Sequence, residues 1–346
     1  MPRLKIGVTG INAIDNPGPG IGVARSLKEA AGLDVEIVGL AYDAMEPGIY
    51  MDWVIDAAFI MPHPSCSGQT YVDRLLHIKH THGLDFVIPN LDAELPLYIK
   101  HASELADHGI GTFLPDMEQF KLRGKDNLAT ISDAIGIQLP MTHVVNSVDQ
   151  LAAAINATGF PAMVKGCFYQ AYRAHSMQEA VSHYHQIVAT WGYPVVVQQV
   201  VKGDELNVVG LGDGAGGHLG LVAAKKVFVT QLGKMWAGVT VKHEPMLKAA
   251  ADFVRKFKWR GPFELECIVD KENVHLIEVN PRFPAWSYFA TGVGINLPAQ
   301  LIRTALGMER EAVKDYDAGK LLLRYSFEMI RDMSSLQQVV TYGANV

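Results

Sequence analysis

Residues 263–282 read FELECIVDKENVHLIEVNPR, two apolar stretches in which polar side chains stand two residues apart, at Glu264 and Glu266 and again at Glu278 and Asn280. Successive side chains of a β-strand point to opposite faces, so Glu264 and Glu266 share a face, as do Glu278 and Asn280. A polar segment separates the two stretches, which predicts two antiparallel strands joined by a turn. This hairpin is therefore the first candidate for a site built from carboxylates.

The register of the hairpin decides whether the two polar pairs meet. Pairing Asp270 with Val274 across a three-residue loop places all four side chains on one face of the sheet. Asn273 suits the left-handed conformation that such a loop requires. The facing pairs predicted by this register are Glu264 with Asn280 and Glu266 with Glu278.

Three carboxylates gathered on one patch repel one another, and burial is costly unless a cation neutralises them. Carboxylate and amide oxygens, completed by phosphate and water, suit Mg²⁺. Arg282 lies two residues beyond Asn280 and adds a positive charge where a phosphate would lie. The pattern favours a divalent-metal site on this patch; the alternative is the solvated outer face of an edge hairpin.

The composition describes a chain that can build a full hydrophobic core. Hydrophobic residues make up 49% of the 346 residues and charged residues 19%, which excludes a disordered protein. The net charge of −6 disfavours nucleic acid as a partner, because phosphate contacts need clustered Lys and Arg. The three cysteines, Cys66, Cys167 and Cys267, are far apart and lack metal-binding spacing. With no secretory or membrane-spanning run, we expect a cytoplasmic protein without a membrane partner.

The first hundred residues alternate between strand and helix patterns. Leu4 to Val8 predicts a buried strand, Ile21 to Ala31 a helix, and Asp34 to Tyr42 a second strand. Such alternation predicts a parallel sheet with helices on both faces, whose ligands bind at the carboxyl ends of the strands. The turn at residues 18–23 fails the dinucleotide fingerprint because Val23 occupies the third glycine position, which disfavours an oxidoreductase.

The remainder of the chain predicts a different architecture. Pro115 and Asp116 mark a boundary, since proline favours a turn and aspartate caps a new helix. Beyond it, residues 208–278 are rich in strand patterns and punctuated by glycine. The whole chain is therefore expected to be of the α/β (α+β) class, with a parallel sheet in front and further strands behind.

The segment Glu278-Val279-Asn280-Pro281-Arg282, with Glu266 on the preceding strand, resembles the metal-binding signature of the ATP-grasp superfamily. The sequence is most similar to the synthetase units of carbamoyl-phosphate synthetase and to biotin carboxylase, over most of the chain. The resemblance implies a parallel-sheet pre-ATP-grasp domain followed by a two-lobed ATP-grasp domain with antiparallel sheets. The implied parts are residues 1–115 for the first domain, residues 116–315 for the second with a lid at about 140–200, and a carboxyl-terminal segment, residues 316–346, packed on the ATP-grasp core.

The resemblance also implies cofactors and roles for individual residues. ATP and Mg²⁺ are the expected cofactors, with Mn²⁺ as an alternative metal. Lys125 and Lys165 match phosphate-binding lysines. Gln198, Val200 and Glu205 match the hinge segment that holds adenine and ribose. Glu266, Glu278 and Asn280 match the metal ligands, and Arg282 matches a catalytic residue near the transferred phosphoryl group.

Two departures from the family pattern stand out. The flap after Lys165, residues 166–174, has one glycine and three aromatic residues where the family often has a glycine-rich loop. Gln198 stands where carbamoyl-phosphate synthetase units have an acidic residue. Outside the motif, Lys226 is expected on a strand beside the nucleotide site and is a candidate to bind the substrate carboxylate.

The expected activity is an ATP-dependent carboxylate–amine ligase that works through an acyl phosphate and releases ADP and phosphate. A non-catalytic nucleotide sensor or scaffold and a peptide-modifying ligase are the alternatives. The expected partners are small-molecule or peptide carboxylate and amine substrates, without nucleic acid. A homodimer is left open.

Overall fold

The computed structural model describes residues 3–14, 17–124, 127–166, 170–231, 233–271 and 273–346. Within these ranges the strands, numbered along the chain, are β1 Leu4–Thr9, β2 Val35–Ala41, β3 Ala57–Ile60, β4 Phe86–Ile88, β5 Thr142–Val145, β6 Ala162–Gly166, β7 Ala171–Ala174, β8 Val195–Gln199, β9 Asp204–Asp213, β10 His218–Val229, β11 Met235–Val241, β12 Arg260–Asp270, β13 Asn273–Asn280, β14 Leu321–Leu323 and β15 Ala344–Asn345. The helices are α1 Gly20–Lys28, α2 Gly68–Thr81, α3 Leu95–Lys100, α4 Ala102–Asp107, α5 Met117–Leu122, α6 Leu128–Ile135, α7 Val148–Thr158, α8 Met177–Trp191, α9 Glu244–Phe257, α10 Tyr288–Gly292, α11 Leu297–Ala305 and α12 Met333–Tyr342, with a short 3₁₀ turn at Pro47–Tyr50. None of these helices is long and apolar enough to cross a membrane.

The first sheet has the order β15-β3-β2-β1-β4, and β1 to β4 run parallel. Its strands are apolar on both faces because helices cover both sides. Val23 and Leu27 of α1 pack on one face, and Tyr71 and Leu75 of α2 pack on the other. The expected parallel sheet with helices on both faces is confirmed.

A four-stranded antiparallel sheet follows, in the order β5-β8-β6-β7. Two helices cover one of its faces: Leu151 and Ile155 of α7 and Ala180 and Ile187 of α8 pack against buried strand residues such as Val164. Ser147 and Ser176 cap the two helices through their side chains. The result is a small layer of helices on a sheet with its own hydrophobic core.

The third sheet is antiparallel and has the order β13-β12-β9-β10-β11-β14. Phe253 of α9 packs under it against Phe263 and Trp259. Side chains of its opposite face, among them Val209 and Leu211, share a core with the first sheet. This face is the one that carries the polar residues predicted from the hairpin, and with this sheet the expected mixed α/β fold is confirmed.

The carboxyl-terminal tail contributes to two of the sheets. β14 adds to β11 at the end of the six-stranded sheet, and β15 adds antiparallel to β3 in the first sheet. Between them, α12 packs its buried Val339 into the core of the first sheet. The tail thereby joins the two layers that flank the polar face.

The turn of the β12–β13 hairpin differs from the prediction. Asp270 pairs with Asn273, not with Val274 as predicted. The pairs Glu264–Asn280 and Glu266–Glu278 are nevertheless confirmed. The register shifts by one residue between these pairs and the turn, because Ile277 forms a bulge on β13.

Candidate active site

Two neighbouring strands bring the predicted polar residues together on one face. The side-chain amide of Asn280 donates to Glu264 Oε2 at 3.0 Å and to Glu266 Oε1 at 2.9 Å. Glu278 lies opposite Glu266 in the ladder. Three carboxylates and an amide are thus adjacent, as the register predicted.

Strands β9 and β10 complete the polar face with residues that lie far away in the sequence. Lys226 on β10 donates to Glu205 on β9 and to Glu266 Oε2, the latter at 3.2 Å. Asn207 on β9 pairs with Glu266 in the ladder and donates to Glu264 Oε1 at 2.7 Å. Asn207 carries no signal in the sequence, since only the strand register reveals that it faces the carboxylates.

The loop after the hairpin adds a further donor. The indole nitrogen of buried Trp286 donates to Glu264 Oε1 at 2.6 Å. Glu264 therefore accepts hydrogen bonds from two amides and an indole, which offsets the cost of burying its carboxylate. Trp286 was also missed, because a tryptophan in an apolar loop gives no polar signal.

Glu264 and Glu266, neighbours on the same face of β12, differ in protonation. Burial raises the pKa of Glu264 to about 7, and the charge of Glu266 acts in the same direction. Burial would also raise the pKa of Glu266, but Lys226, together with the charge of Arg282 and a hydrogen bond with Glu264, lowers it. For Lys226, burial works against the charge, and the charges of Glu266 and Glu205 nevertheless raise its pKa. The pair therefore has one firmly ionised carboxylate and one that titrates near neutrality.

Arg282 joins the polar face to the first sheet. Its Nε donates to Asp92 Oδ2 at 2.8 Å, and its Nη2 donates to Asn280 Oδ1 at 3.2 Å. Asp92 lies in the loop after β4, and its other oxygen accepts from Arg123 Nη1 at 2.5 Å. One carboxylate at the carboxyl edge of the parallel sheet thus holds two arginines, and the charges of both lower its pKa despite burial.

Lys234 lies close enough to Arg282 and to Arg324 for both charges to act on it. Lys234 donates to the backbone oxygen of Pro17 at 3.0 Å, and burial with the charges of Arg282 and Arg324 lowers the pKa of Lys234 to about 8. Arg324 donates to Met235 O at 3.1 Å, and burial lowers the pKa of Arg324 to about 10. Arg324 could not be predicted as a site residue, because it lies in the tail, far from every motif quoted above.

The predicted nucleotide residues are partly brought together. Lys165 on β6 donates to Gln198 Oε1 on β8 at 2.7 Å, and the Gln198 amide donates to Thr142 Oγ1 at 3.0 Å. Val200 follows β8 and is half-buried. Glu205 forms an ion pair with Lys226. Lys125, and residues 167–169 of the flap, lie outside the described residues.

The predicted metal site depends on which side chains of the polar face could coordinate an ion. Within the described ranges, no group of three or more His, Cys, Asp and Glu side chains is arranged to hold a metal ion. Lys226 supplies the positive charge beside Glu266 in this structure. The buried Oδ1 of Asn207 accepts no hydrogen bond from the described part of the chain. A buried oxygen that lacks a donor, near the ionised carboxylate of Glu266, fits a hard divalent cation.

Residues 193–323 match a family model described as ATP-grasp in the biosynthetic pathway with Ter operon. Among similar solved structures is the biotin carboxylase–β-γ-ATP complex from Campylobacter jejuni, with 15% identity over 92% of this chain and 74% of that chain, at a TM-score of 0.70. The ADP complex of PurK, an N5-carboxyaminoimidazole ribonucleotide synthetase, has 14% identity over 92% and 82% of the two chains, at a TM-score of 0.68. The biotin carboxylase domain dimer of Hydrogenobacter thermophilus 2-oxoglutarate carboxylase, in complex with MgADP, ADP and bicarbonate, has 18% identity over 92% and 73%, at a TM-score of 0.67.

These likenesses define the fold of the chain. The protein has the ATP-grasp fold, and the predicted resemblance to that superfamily is confirmed. The family match includes the hinge, β9 to β13 and β14, and therefore every residue described above on the polar face.

Proposed function

We propose that the protein is an ATP-dependent ligase that activates a substrate carboxylate as an acyl phosphate and couples it to an amine. The observation that carries this proposal is the cluster of Glu264, Glu266, Asn280 and Asn207, with Arg282 beside it. Such a cluster combines oxygen donors for a cation with a fixed guanidinium for a phosphoryl group. The fold it shares with ATP- and ADP-bound enzymes supports the same class of activity.

Mg²⁺ is the proposed metal, with Mn²⁺ as the alternative, and Glu266, Glu278 and Asn280 are the residues that would hold it. Bound there, the metal would neutralise phosphate charge during phosphoryl transfer. Lys226 now bonds to Glu205 and Glu266, so it would exchange these partners when a metal or substrate carboxylate enters. The proposed role of Lys226 in binding that carboxylate depends on this exchange.

The remaining proposed roles concern the nucleotide and the reacting phosphoryl group. Lys125 and Lys165 would bind phosphates, while Gln198, Val200 and Glu205 would hold the adenosine. A carboxylate oxygen of the substrate attacks the γ-phosphorus and ADP leaves, with Arg282 neutralising the charge on the phosphoryl oxygens. The amine nitrogen then attacks the acyl carbon, phosphate leaves with the bonding electron pair, and the amine gives up a proton.

The proposed organisation follows the expected parts of the chain. Residues 1–115 would form the pre-ATP-grasp domain, residues 116–315 the ATP-grasp domain with its lid at about 140–200, and residues 316–346 the carboxyl-terminal segment. The substrates would be small-molecule or peptide carboxylates and amines, and the protein would act in the cytoplasm.

Nucleotide binding tests the proposal directly. We expect calorimetry to detect binding of ATP in the presence of Mg²⁺, and Glu266→Gln to lower Mg²⁺-dependent ATP turnover on the order of a hundredfold or more, because it removes an ionised oxygen ligand. Exposed Glu309 lies outside the site, and Glu309→Gln is the matched control, which should behave as the wild type. Absence of ATP binding at saturating Mg²⁺, or equal turnover by the two variants, would overturn the proposal.

A further inference from the structure

The strand β14 leaves one edge of the six-stranded sheet open. It is the last strand of that sheet, and no other strand in the described ranges pairs with its outer side. Its even-numbered positions bond to β11: Arg324 N–H donates to Trp236 O at 3.1 Å, and Lys320 O accepts from Thr240 N–H at 2.9 Å. Because bonding alternates along an antiparallel ladder, the N–H and C=O groups of Leu321 and Leu323 point away from β11.

The side chains along β14 also alternate. Leu322 packs against the main core, and Arg324 turns inward to bond Met235 O. The neighbours of these two residues, Leu321, Leu323 and Tyr325, point outward and are 60%, 65% and 80% exposed. An apolar row on an open strand edge is unusual, since natural proteins protect such edges with charge, proline or a covering segment.

Further aromatic residues extend this row on both sides. Phe228 and Leu323 flank Ala237 in the ladder, so these three side chains share a face. On the other side, Phe327 lies 6.0 Å from Tyr325 and 5.6 Å from Trp53 between ring centroids. We call these exposed residues the apolar stripe: Phe228, Leu321, Leu323, Tyr325, Phe327 and Trp53.

The opposite edge of the same sheet is protected. The segment before β5 runs along β13, where Gln138 N–H donates to Val274 O and Gln138 O accepts from Leu276 N–H, both at 2.8 Å. In each copy this sheet has one covered edge, at β13, and one open edge, at β14. If two copies paired through their open edges, this sheet would have no open edge left in either copy. Such pairing closes as a twofold dimer and does not continue into a filament.

The size of the apolar stripe also fits a dimer. The six residues are between half and four-fifths exposed, and an aromatic side chain offers ~150–250 Å². Together they expose on the order of 700 Å², close to the ~800 Å² that each partner contributes to a standard interface. The largest apolar patch on an ordinary monomer is ~300–600 Å².

We propose that the open edge of β14 and the apolar stripe form a homodimer interface. Two copies of β14 would pair antiparallel, with Leu321 and Leu323 of one copy facing the same residues of the other. An antiparallel pair of identical strands is its own complement under a twofold axis, so the main-chain groups now pointing outward would bond to each other. The two six-stranded sheets would then join into one continuous sheet.

Sedimentation equilibrium of the full chain tests the proposal. We expect the wild type to have twice the chain mass of 37.9 kDa, and Leu323→Lys to shift it to the monomer mass, because a charge enters the apolar seam. Leu306, at the end of α11, is 45% exposed outside the stripe, and Leu306→Lys is the matched control that should remain dimeric. Circular dichroism of each variant checks that it is folded.

A second variant tests the part of the apolar stripe that lies beside β14. Tyr325→Lys places a charge in the stripe next to β14 and should weaken association together with Leu323→Lys. A wild-type chain that stays monomeric over a wide range of protein concentration would overturn the proposal and leave the stripe to some other occupant. A dimer that survives both substitutions in folded protein would overturn it as well. ATP binding is measured separately, so failure of the dimer is distinguishable from failure of the proposed ligase activity.

Discussion

Asp92 and Glu94 lie two residues apart in the loop after β4, yet they occupy opposite electrostatic surroundings. Glu94 is fully buried and accepts hydrogen bonds from the hydroxyls of Thr9 and Tyr42 and from the backbone N–H groups of Asn90 and Leu91. All these donors are neutral. Asp92 lies between the guanidinium groups of Arg282 and Arg123.

Because of this difference, Glu94 has a structural role, whereas Asp92 connects the loop to the candidate site. Glu94 fastens the loop to the end of the parallel sheet, and burial raises its pKa despite the donors. Asp92 lies in the same loop and forms an ion pair with Arg282, which neighbours the candidate metal ligand Asn280. The charges of Arg282 and Arg123 lower the pKa of Asp92. One loop thus anchors itself with neutral hydrogen bonds and places its charge at the site.

The largest expected effect on stability is that of Asp92→Asn. Removing the shared carboxylate takes the ion-pair partner away from two mostly buried arginines, Arg282 and Arg123, which should lower the free energy of unfolding by about 3–5 kcal/mol. Urea unfolding measures the change. Asp52→Asn breaks an exposed pair with Arg331 and should cost much less. Equal losses in the two variants would mean that the two arginines do not depend on Asp92.

A smaller loss is expected for Glu94→Gln. The new side-chain NH₂ would face hydroxyl and backbone donors that now bond to a carboxylate, so the free energy of unfolding should fall by about 1–3 kcal/mol. The same urea unfolding experiment measures it. Glu118 is exposed at the start of α5, and Glu118→Gln should leave stability close to that of the wild type. An unchanged midpoint for Glu94→Gln would contradict the anchoring role.

The smallest expected effects are two opposite dependences of stability on pH. The pKa of Asp92 is below its ordinary 3.8, so its contribution is present above that value and is lost as the pH falls through the folded-state pKa. The pKa of Glu94 is above its ordinary 4.5, so its contribution is present below 4.5 and is lost as the pH rises through the folded-state pKa. Unfolding measured against pH should therefore lose part of its acid slope in Asp92→Asn and part of its slope above pH 4.5 in Glu94→Gln. Slopes of the same sign for both carboxyls would refute the contrast.

Sequence patterns predicted the fold where the side-chain period is unambiguous. The expected strand from Leu4 to Val8 is β1, and the expected strand from Asp34 to Tyr42 is β2 with one residue less at each end. Alternating glutamates likewise predicted which side chains of the hairpin would face one another. The turn was wrong by one residue, because a bulge inside a strand has no signature that the loop length could reveal.

Other parts of the candidate site could not be predicted because they depend on long-range register. Asn207 meets Glu264 only because β9 pairs with β12. Arg324 comes close to Lys234 only because the tail returns to the sheet as β14. Asp92 closely follows β4 along the chain, but its two arginines come from segments 31 and 190 residues away.

The bulge at Ile277 divides the hairpin into two stretches whose registers differ by one residue. The residue numbers of two facing residues add up to 544 near the polar cluster, as in Glu266–Glu278. Near the turn they add up to 543, as in Asp270–Asn273. The orientation of Glu278 and Asn280 is therefore set by the bulge and by the neighbouring strands, not by the loop. Loops of different length could close this hairpin in related chains while the same polar residues kept their side of the sheet.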